Sequence, residues 1–309
     1  MEIYHFINYS KDDIIDYIRK IKNSKAVICL DLEDSIQDIF NPQNTSGLKE
    51  LHRKFIRCQN FQGDTLQNVK FGIRINSSFT KEITLDLDLL RELKNKINFN
   101  SIFLSKTETP DDIIKLEKKL NEQQIYHEEI IAVIETKKGF VNLNKIISIH
   151  GSKLTKIAFG HCDFNFDNNI FPFHHQCSEI YWNWLNEIVC ISKANAIGFV
   201  NSPYLQLDND KGFQEMMSRV NIICEKNWGQ ITLTHHQSLL CRNFEMMPEV
   251  KWKKKNIAFI NLKTYALSVV SSFVKFNNQK GFTITGKKRI LISPHEYKAA
   301  LKYLEEHEY

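Results

Sequence analysis

The chain is short of the residues that interrupt a fold: of 309 residues only 11 are glycine and 6 are proline. That scarcity excludes collagen-like and Pro/Gly-rich disordered architectures. No G-x-G-x-x-G or Walker-type loop occurs, so the phosphate-binding turn that usually follows the first strand of a doubly wound nucleotide domain is missing. Cysteine forms no C-x-x-C pair. The seven thiols fall at 29, 58, 162, 177, 190, 224 and 241, an odd and irregular set that fits a reducing compartment and argues against a disulfide framework or a structural zinc. No apolar run reaches bilayer-spanning length, and MEIYHFINYSKDD lacks the basic and apolar regions of a signal peptide. A cytoplasmic chain without a membrane partner is therefore expected. The excess of one charge over the other is small too: 41 basic residues meet 36 acidic ones, for a net +5. Lys118, Lys119, Lys251 and Lys253 to Lys255 are scattered rather than interleaved with aromatics, so no nucleic-acid partner is expected.

What is present is a 42% hydrophobic, 25% charged sequence in which short β-branched apolar runs alternate with helical periodicity. The runs are EIYHFIN (2–8), AVICLDL (26–32), KFGIRI (70–75), SIFLSK (101–106), IIAVIE (130–135), KIAFG (156–160), AIGFVN (196–201) and QITLT (230–234). Amphipathic stretches follow them at 11–22, 47–57, 84–96, 110–123, 139–149, 178–193, 211–227 and 255–274. Cap signals support the helices: Ser10 precedes one, and Thr109-Pro110-Asp111-Asp112 opens another. Eight βα units in succession predict a (β/α)8 TIM barrel over residues 1–274, an open doubly wound sheet being the alternative. Residues 275–309, with FTITGKKRILIS and PHEYKAALKYLEEHEY, form a C-terminal extension, hairpin plus helix, expected to pack on the barrel or on a neighbouring subunit.

In such a barrel the chemistry collects at the C-terminal strand ends. Just past successive strands stand Glu33 and Asp34, Arg74 and Asn76, Lys106, Glu135, Asp163, and then Thr234, His235 and His236. Glu135 closes an apolar strand and wants a cation; Asp163 follows the neighbouring strand, so the two carboxylates can share Mg2+ or Mn2+ with water completing the shell. An ion pair of Glu135 with Lys106 or Arg74 is the competing arrangement. Arg74 and Asn76 offer a planar double donor and an amide to a substrate carboxylate, with a structural pairing of Arg74 to Glu33 or Asp34 as the alternative. Lys106 is an electrostatic partner first, because two nearby carboxylates keep its pKa too high for a Schiff base.

His161 and Cys162 suggest zinc, but consecutive residues leaving a strand point to opposite sides and no second ligand pair lies at a suitable spacing. Cys162 is expected to pack beside Phe164, with His161 a nearby loop residue. His174 and His175, in NNIFPFHHQCSEIYWNWL, belong to an aromatic segment over the mouth, a candidate lid.

CLDLEDSI (29–36), GIRINS (72–77), IFLSKTET (102–109), AVIETKKGFVNLNKI (132–146) and IAFGHCDF (157–164) resemble, in order and spacing, the signatures of the HpcH/HpaI aldolase and citrate lyase beta subunit family. The resemblance implies a Mg2+-dependent carbon–carbon lyase on a TIM barrel, with Glu135 and Asp163 binding the metal and Arg74 the carboxylate of an oxo-acid. It implies that the metal stabilises an enolate and that Glu33 and Asp34 orient water on it. A homotrimer, or a multiple of one, is implied as well. Three stretches depart from the pattern. YHFINYS replaces a first strand that carries Arg and ends in Pro-Gly. LTHHQ puts Thr234 at a usual histidine position, beside His235, and both are substrate-binding candidates with Asn76 and Glu135. Ile292-Ser293-Pro294 lacks the aspartate that acyl-CoA lyases use at the thioester. The substrate is thus expected to be a small 2-oxo or hydroxy acid, or an acyl-CoA relative of one. A protein that binds metal and oxo-acid without turnover is the alternative.

Overall fold

Eight apolar segments lie with both faces buried, which is why they read as near-continuous hydrophobic runs. They are β1 (Glu2–Phe6), β2 (Val27–Asp31), β3 (Phe71–Ile75), β4 (Phe99–Leu104), β5 (His127–Ile134), β6 (Leu154–Phe159), β7 (Gly198–Asn201) and β8 (Trp228–Thr232). In the computed structural model these strands close into a parallel barrel in sequence order, with β1 hydrogen-bonded to β8. The structure describes residues 1–7, 14–33, 36–61, 66, 68–247, 261–276, 281–285 and 289–307. The predicted cap at Ser10 lies outside them, as does Asp34.

The period of two sorts the strand residues. Val27 and Cys29, Phe103, Ile131 and Val133, and Ala158 fill the barrel interior with Tyr4, Phe6 and Val200. Their neighbours Ile28, Leu30, Ile73, Ile102, Ile130 and Ile157 face outward into the helical layer. The same parity continues past the last apolar layer to Asp31, Arg74 and Glu135, which reach the C-terminal mouth. At the opposite end Lys156 bonds to Glu129 and lies 2.8 Å from Glu2, while Tyr4 donates to both acids, a polar plug consistent with stability rather than chemistry at that face.

The helices are α1 (Ile14–Ile21), α2 (Thr45–Arg57), α3 (Glu82–Leu93), α4 (Pro110–Glu122), α5 (Lys137–Val141), α6 (Leu143–Ile147), α7 (His161–Asp167), α8 (Glu179–Ala194), α9 (Asp210–Cys224), α10 (His235–Arg242), α11 (Leu262–Phe276) and α12 (Pro294–Glu306). The expected helix 139–149 is two short ones. The eighth barrel helix is α10, capped by Thr234 through the Gln237 N–H at 3.1 Å, and not the expected 255–274. Residues 248–260 lie outside the described set; α11 packs with α12 and with the hairpin β9 (Thr283–Thr285) and β10 (Ile290–Ile292). The extension sits on its own barrel: Leu291 N–H donates to Leu205 O at 2.9 Å and Leu207 N–H to Arg289 O at 3.1 Å. Among the described residues no helix is long and apolar enough to cross a membrane.

One buried titratable group of the helical layer has a measurable consequence. His52 on α2 is pushed down to about 3 by burial, which outweighs the opposing Asp31 carboxylate and is aided by the Arg53 guanidinium. As pH falls from about 6.5 towards 3, the unfolded chain takes up a proton that the folded chain refuses, so stability should drop by up to about 1.4 kcal/mol per pH unit from this residue. Urea midpoints at pH 7 and pH 5 should converge in His52→Gln relative to the parent; equal slopes in both proteins would remove His52 as the cause.

Candidate active site

Arg74 stands beside Asp31 in the β2–β3 register. Its Nε donates to Asp31 Oδ1 at 2.7 Å and its Nη2 to Asp31 Oδ2 at 2.6 Å, the bidentate fork that holds a guanidinium in one plane. Nη1 lies 3.2 Å from Glu33 Oε2, and the guanidinium sits 5.5 Å from the Phe6 ring. Glu33 is fixed in turn by its own N–H, which donates to Asp31 Oδ1 at 3.0 Å.

Lys106 links the two halves of the mouth. Its Nζ bonds to Glu33 Oε1 and lies 3.2 Å from Asp163 Oδ1. Its backbone takes φ 49°, a left-handed conformation unusual outside glycine, and its N–H donates to Glu135 Oε1 at 2.7 Å. Glu135 is only 1% exposed. It packs so closely on Gly160 that any Cβ there would meet the carboxylate, so glycine at the end of β6 makes room for Glu135. Asp163, in the first turn of α7, has His295 Nδ1 3.4 Å from its Oδ2. Among the described residues, Glu33 Oε2 and Asp163 Oδ1 are buried and accept no hydrogen bond, and each has a cation at 3.2 Å.

Arg74, Glu33, Lys106, Glu135 and Asp163 thus come together as the sequence suggests, and Thr234 and His235 line the same cavity. Asn76 does not join them: it is 3% exposed, accepts from Lys49 at 2.5 Å and donates to Leu32 O and Asp86 Oδ2 at 2.9 and 2.8 Å. It leaves β3 pointing into the α2–α3 layer, where Asp86 and Arg53 also pair. His236 is exposed and pairs with Asp210. Two participants were not anticipated. Asp31 was signalled by its parity with Val27 and Cys29; His295 has no local signal, since it reaches Asp163 from the far end of the chain.

The residues 161–167 are helical, which overturns the expectation that His161 and Cys162 diverge as strand neighbours do. Successive helical residues are turned by only about 100°, and Cys162 Sγ lies 3.6 Å from His161 Nε2. That nitrogen faces His175 Nδ1 at 3.0 Å. Burial, and secondarily His175, hold the His161 imidazole well below its ordinary pKa. Glu296 stays below the carboxylate range despite its burial, because His175 and the Tyr265 hydroxyl outweigh it.

The mouth encloses about 480 Å3, lined by Asp31, Arg74, Glu135 and Asp163, by Phe6, Phe103 and Leu233, and by Phe282, Ile284, Arg289 and Leu291 of the hairpin. A larger cavity of about 1280 Å3 lies outside the barrel between α8, α9 and α11; it holds none of the strand-end acids, so the smaller one is the candidate site. A buried carboxylate pair with cations on one side, water-accessible on the other, can bind a hard divalent ion and an anionic oxo compound together.

A family model described as HpcH/HpaI aldolase/citrate lyase matches residues 11–221, well over half of the chain. No curated protein matches. Among solved structures, RipC from Yersinia pestis has a TM-score of 0.58 at 17% identity over 81% of this chain and 96% of its own. The citrate lyase beta subunit of M. tuberculosis, complexed with oxaloacetate and magnesium, gives 0.58 at 17%, over 78% and 95%. Protein CitE from Mycobacterium tuberculosis, in complex with magnesium, acetoacetate and coenzyme A, gives 0.56 at 14%, over 100% and 98%. At such identities the likeness establishes the shared barrel fold.

Proposed function

The chain belongs to the HpcH/HpaI aldolase/citrate lyase family and is a carbon–carbon lyase; within that class we propose a Mg2+- or Mn2+-dependent enzyme that cleaves, or in reverse condenses, a small 2-oxo or hydroxy acid used as the free acid. The observation that carries this reading is the convergence on one barrel mouth of the Arg74 guanidinium with the buried carboxylates of Glu33, Glu135 and Asp163.

The donor set fits a hard cation. Among the described residues Asp163 Oδ1 is buried without a hydrogen bond, Glu135 stands just past the end of β5, the strand beside β6, and two carboxylates with water and substrate oxygens are the usual shell of Mg2+. Glu135 and Asp163 would hold it. When bound, such an ion polarises an oxo group and offsets negative charge that develops on its oxygen.

The remaining work falls to the chain's own groups. Arg74, oriented by Asp31, would take the carboxylate of the oxo-acid on its Nη1 side. Lys106 would keep Glu33 in place, and Glu33, with Asp34 outside the described residues, would orient water. Phe6, Phe103, Leu233 and the hairpin residues Phe282 and Leu291 make the walls apolar, which strengthens each charge interaction inside. The free-acid choice is supported by the same hairpin: it roofs the mouth from its own chain, and Ile292-Ser293-Pro294-His295 offers histidine, not aspartate, next to Asp163.

The test is Mg2+-dependent release of pyruvate or oxaloacetate from a panel of hydroxy acids and of their CoA thioesters. Release from free acids is expected. Release confined to thioesters would overturn the free-acid reading. No release from any member, with pyruvate still bound in a Mg2+-dependent manner, would overturn the proposed substrate class.

A further inference from the structure

Beside the carboxylate site lies a second, chemically different set of donors. Among the described residues, the one group of three or more His, Cys, Asp or Glu side chains whose donor atoms all lie within 4.8 Å of one another is His161, Cys162 and His175. We propose that His161 Nε2, Cys162 Sγ and His175 Nδ1 form a binding site for a borderline-soft divalent transition ion of the Zn2+ class, distinct from the hard-cation site at Glu135 and Asp163.

The geometry matches that ion. With Zn–N of about 2.05 Å and Zn–S of about 2.3 Å, a tetrahedral arrangement sets the donors roughly 3.3 Å (N to N) and roughly 3.6 Å (N to S) apart. The two imidazole nitrogens are 3.0 Å apart and the sulfur is 3.6 Å from His161 Nε2. Hydrogen bonds to His161 Nε2 account for both spacings without an ion, and they leave the three donors within 4.8 Å of one another, where one ion can replace the shared proton contacts. Nitrogen and thiolate donors favour Zn2+ or Co2+ over Mg2+, which takes oxygen. Coordination converts the Cys162 thiol to thiolate, its proton passing to solvent, and three protein donors leave a fourth position for water.

The outer layer is built as metal-binding histidines require. His175 presents its other nitrogen, Nε2, to Glu296 Oε1 at 3.5 Å, and Glu296 accepts from the Tyr265 hydroxyl at 2.7 Å. Glu296 is 3% exposed. A carboxylate behind a ligating imidazole fixes its tautomer and its aim. The site would therefore tie four segments together: α7, which carries Asp163; the segment holding His175; α11 through Tyr265; and α12 through Glu296, the neighbour of His295. Its occupation would clamp the C-terminal extension over the barrel mouth.

Co2+ titration of the full chain in excess Mg2+ tests this. One equivalent should bind tightly, with intense tetrahedral ligand-field bands and a thiolate-to-cobalt charge-transfer band. Cys162→Ser should lose the charge-transfer band, and Glu296→Gln should weaken binding about 10- to 100-fold. Glu135→Gln should leave the cobalt spectrum intact. Circular dichroism establishes that each variant is folded; should His175→Gln fail to fold, Cys162→Ser decides alone. Absence of a tight equivalent, a charge-transfer band that survives Cys162→Ser, or a spectrum abolished by Glu135→Gln would each overturn the proposal.

Discussion

Glu135→Gln is expected to lower kcat/KM for carbon–carbon cleavage by about 10³-fold, equivalent to roughly 4 kcal/mol of transition-state stabilisation. The amide is isosteric and its oxygen can still accept the Lys106 N–H that Glu135 Oε1 takes at 2.7 Å, so the left-handed turn at Lys106 keeps its partner. What is lost is one negative charge at a position that is 1% exposed, where a cation has few alternatives. The thermal midpoint should change little, because the substitution removes a buried charge without leaving a cavity. Steady-state kinetics across a Mg2+ titration would check both statements. Activity within threefold of the parent at saturating Mg2+ would sink the metal role of Glu135.

Arg74→Met should damage stability and activity together, and the two effects can be separated. Asp31 is 4% exposed and its carboxylate is held by the Arg74 fork at 2.7 and 2.6 Å. Removing the guanidinium leaves that charge buried and poorly compensated, at a cost of about 3–5 kcal/mol. Adding Asp31→Leu removes the stranded charge, so the double variant should recover most of the lost stability, measured as the urea midpoint. It should not recover turnover: kcat/KM should remain at least about 100-fold down, since no group then meets the substrate carboxylate. If activity returned with stability, Arg74 would be a structural partner of Asp31 and no more.

Much of this site follows from parity. Once AVICLDL, GIRI and AVIE are strands with apolar residues filling a barrel, counting by two from Cys29 to Asp31, from Gly72 to Arg74 and from Val133 to Glu135 places all three groups at the same rim. In the sequence Asp31 is masked by the acidic pair Glu33 and Asp34 that follows it, although the register sets Asp31 directly beside Arg74. Asn76 obeys the same count but lies beyond the strand, where the chain has already turned towards Asp86 and Lys49. Thr234 signalled the start of α10 through its cap, yet eight residues of helix are too short for periodicity to separate from a loop.

The sequence by itself determined the alternation of strand and helix, hence the barrel, and the end of each strand at which charge accumulates, because both depend on local periodicity and on the bilateral burial of parallel strands. Only the tertiary structure decided what those charges meet. The approach of His295 to Asp163 and of Glu296 to His175 joins residues more than a hundred positions apart, and the hairpin that roofs the mouth is held by hydrogen bonds to the loop after β7. Such contacts arise from packing the extension onto a finished barrel, and no spacing along the chain encodes them.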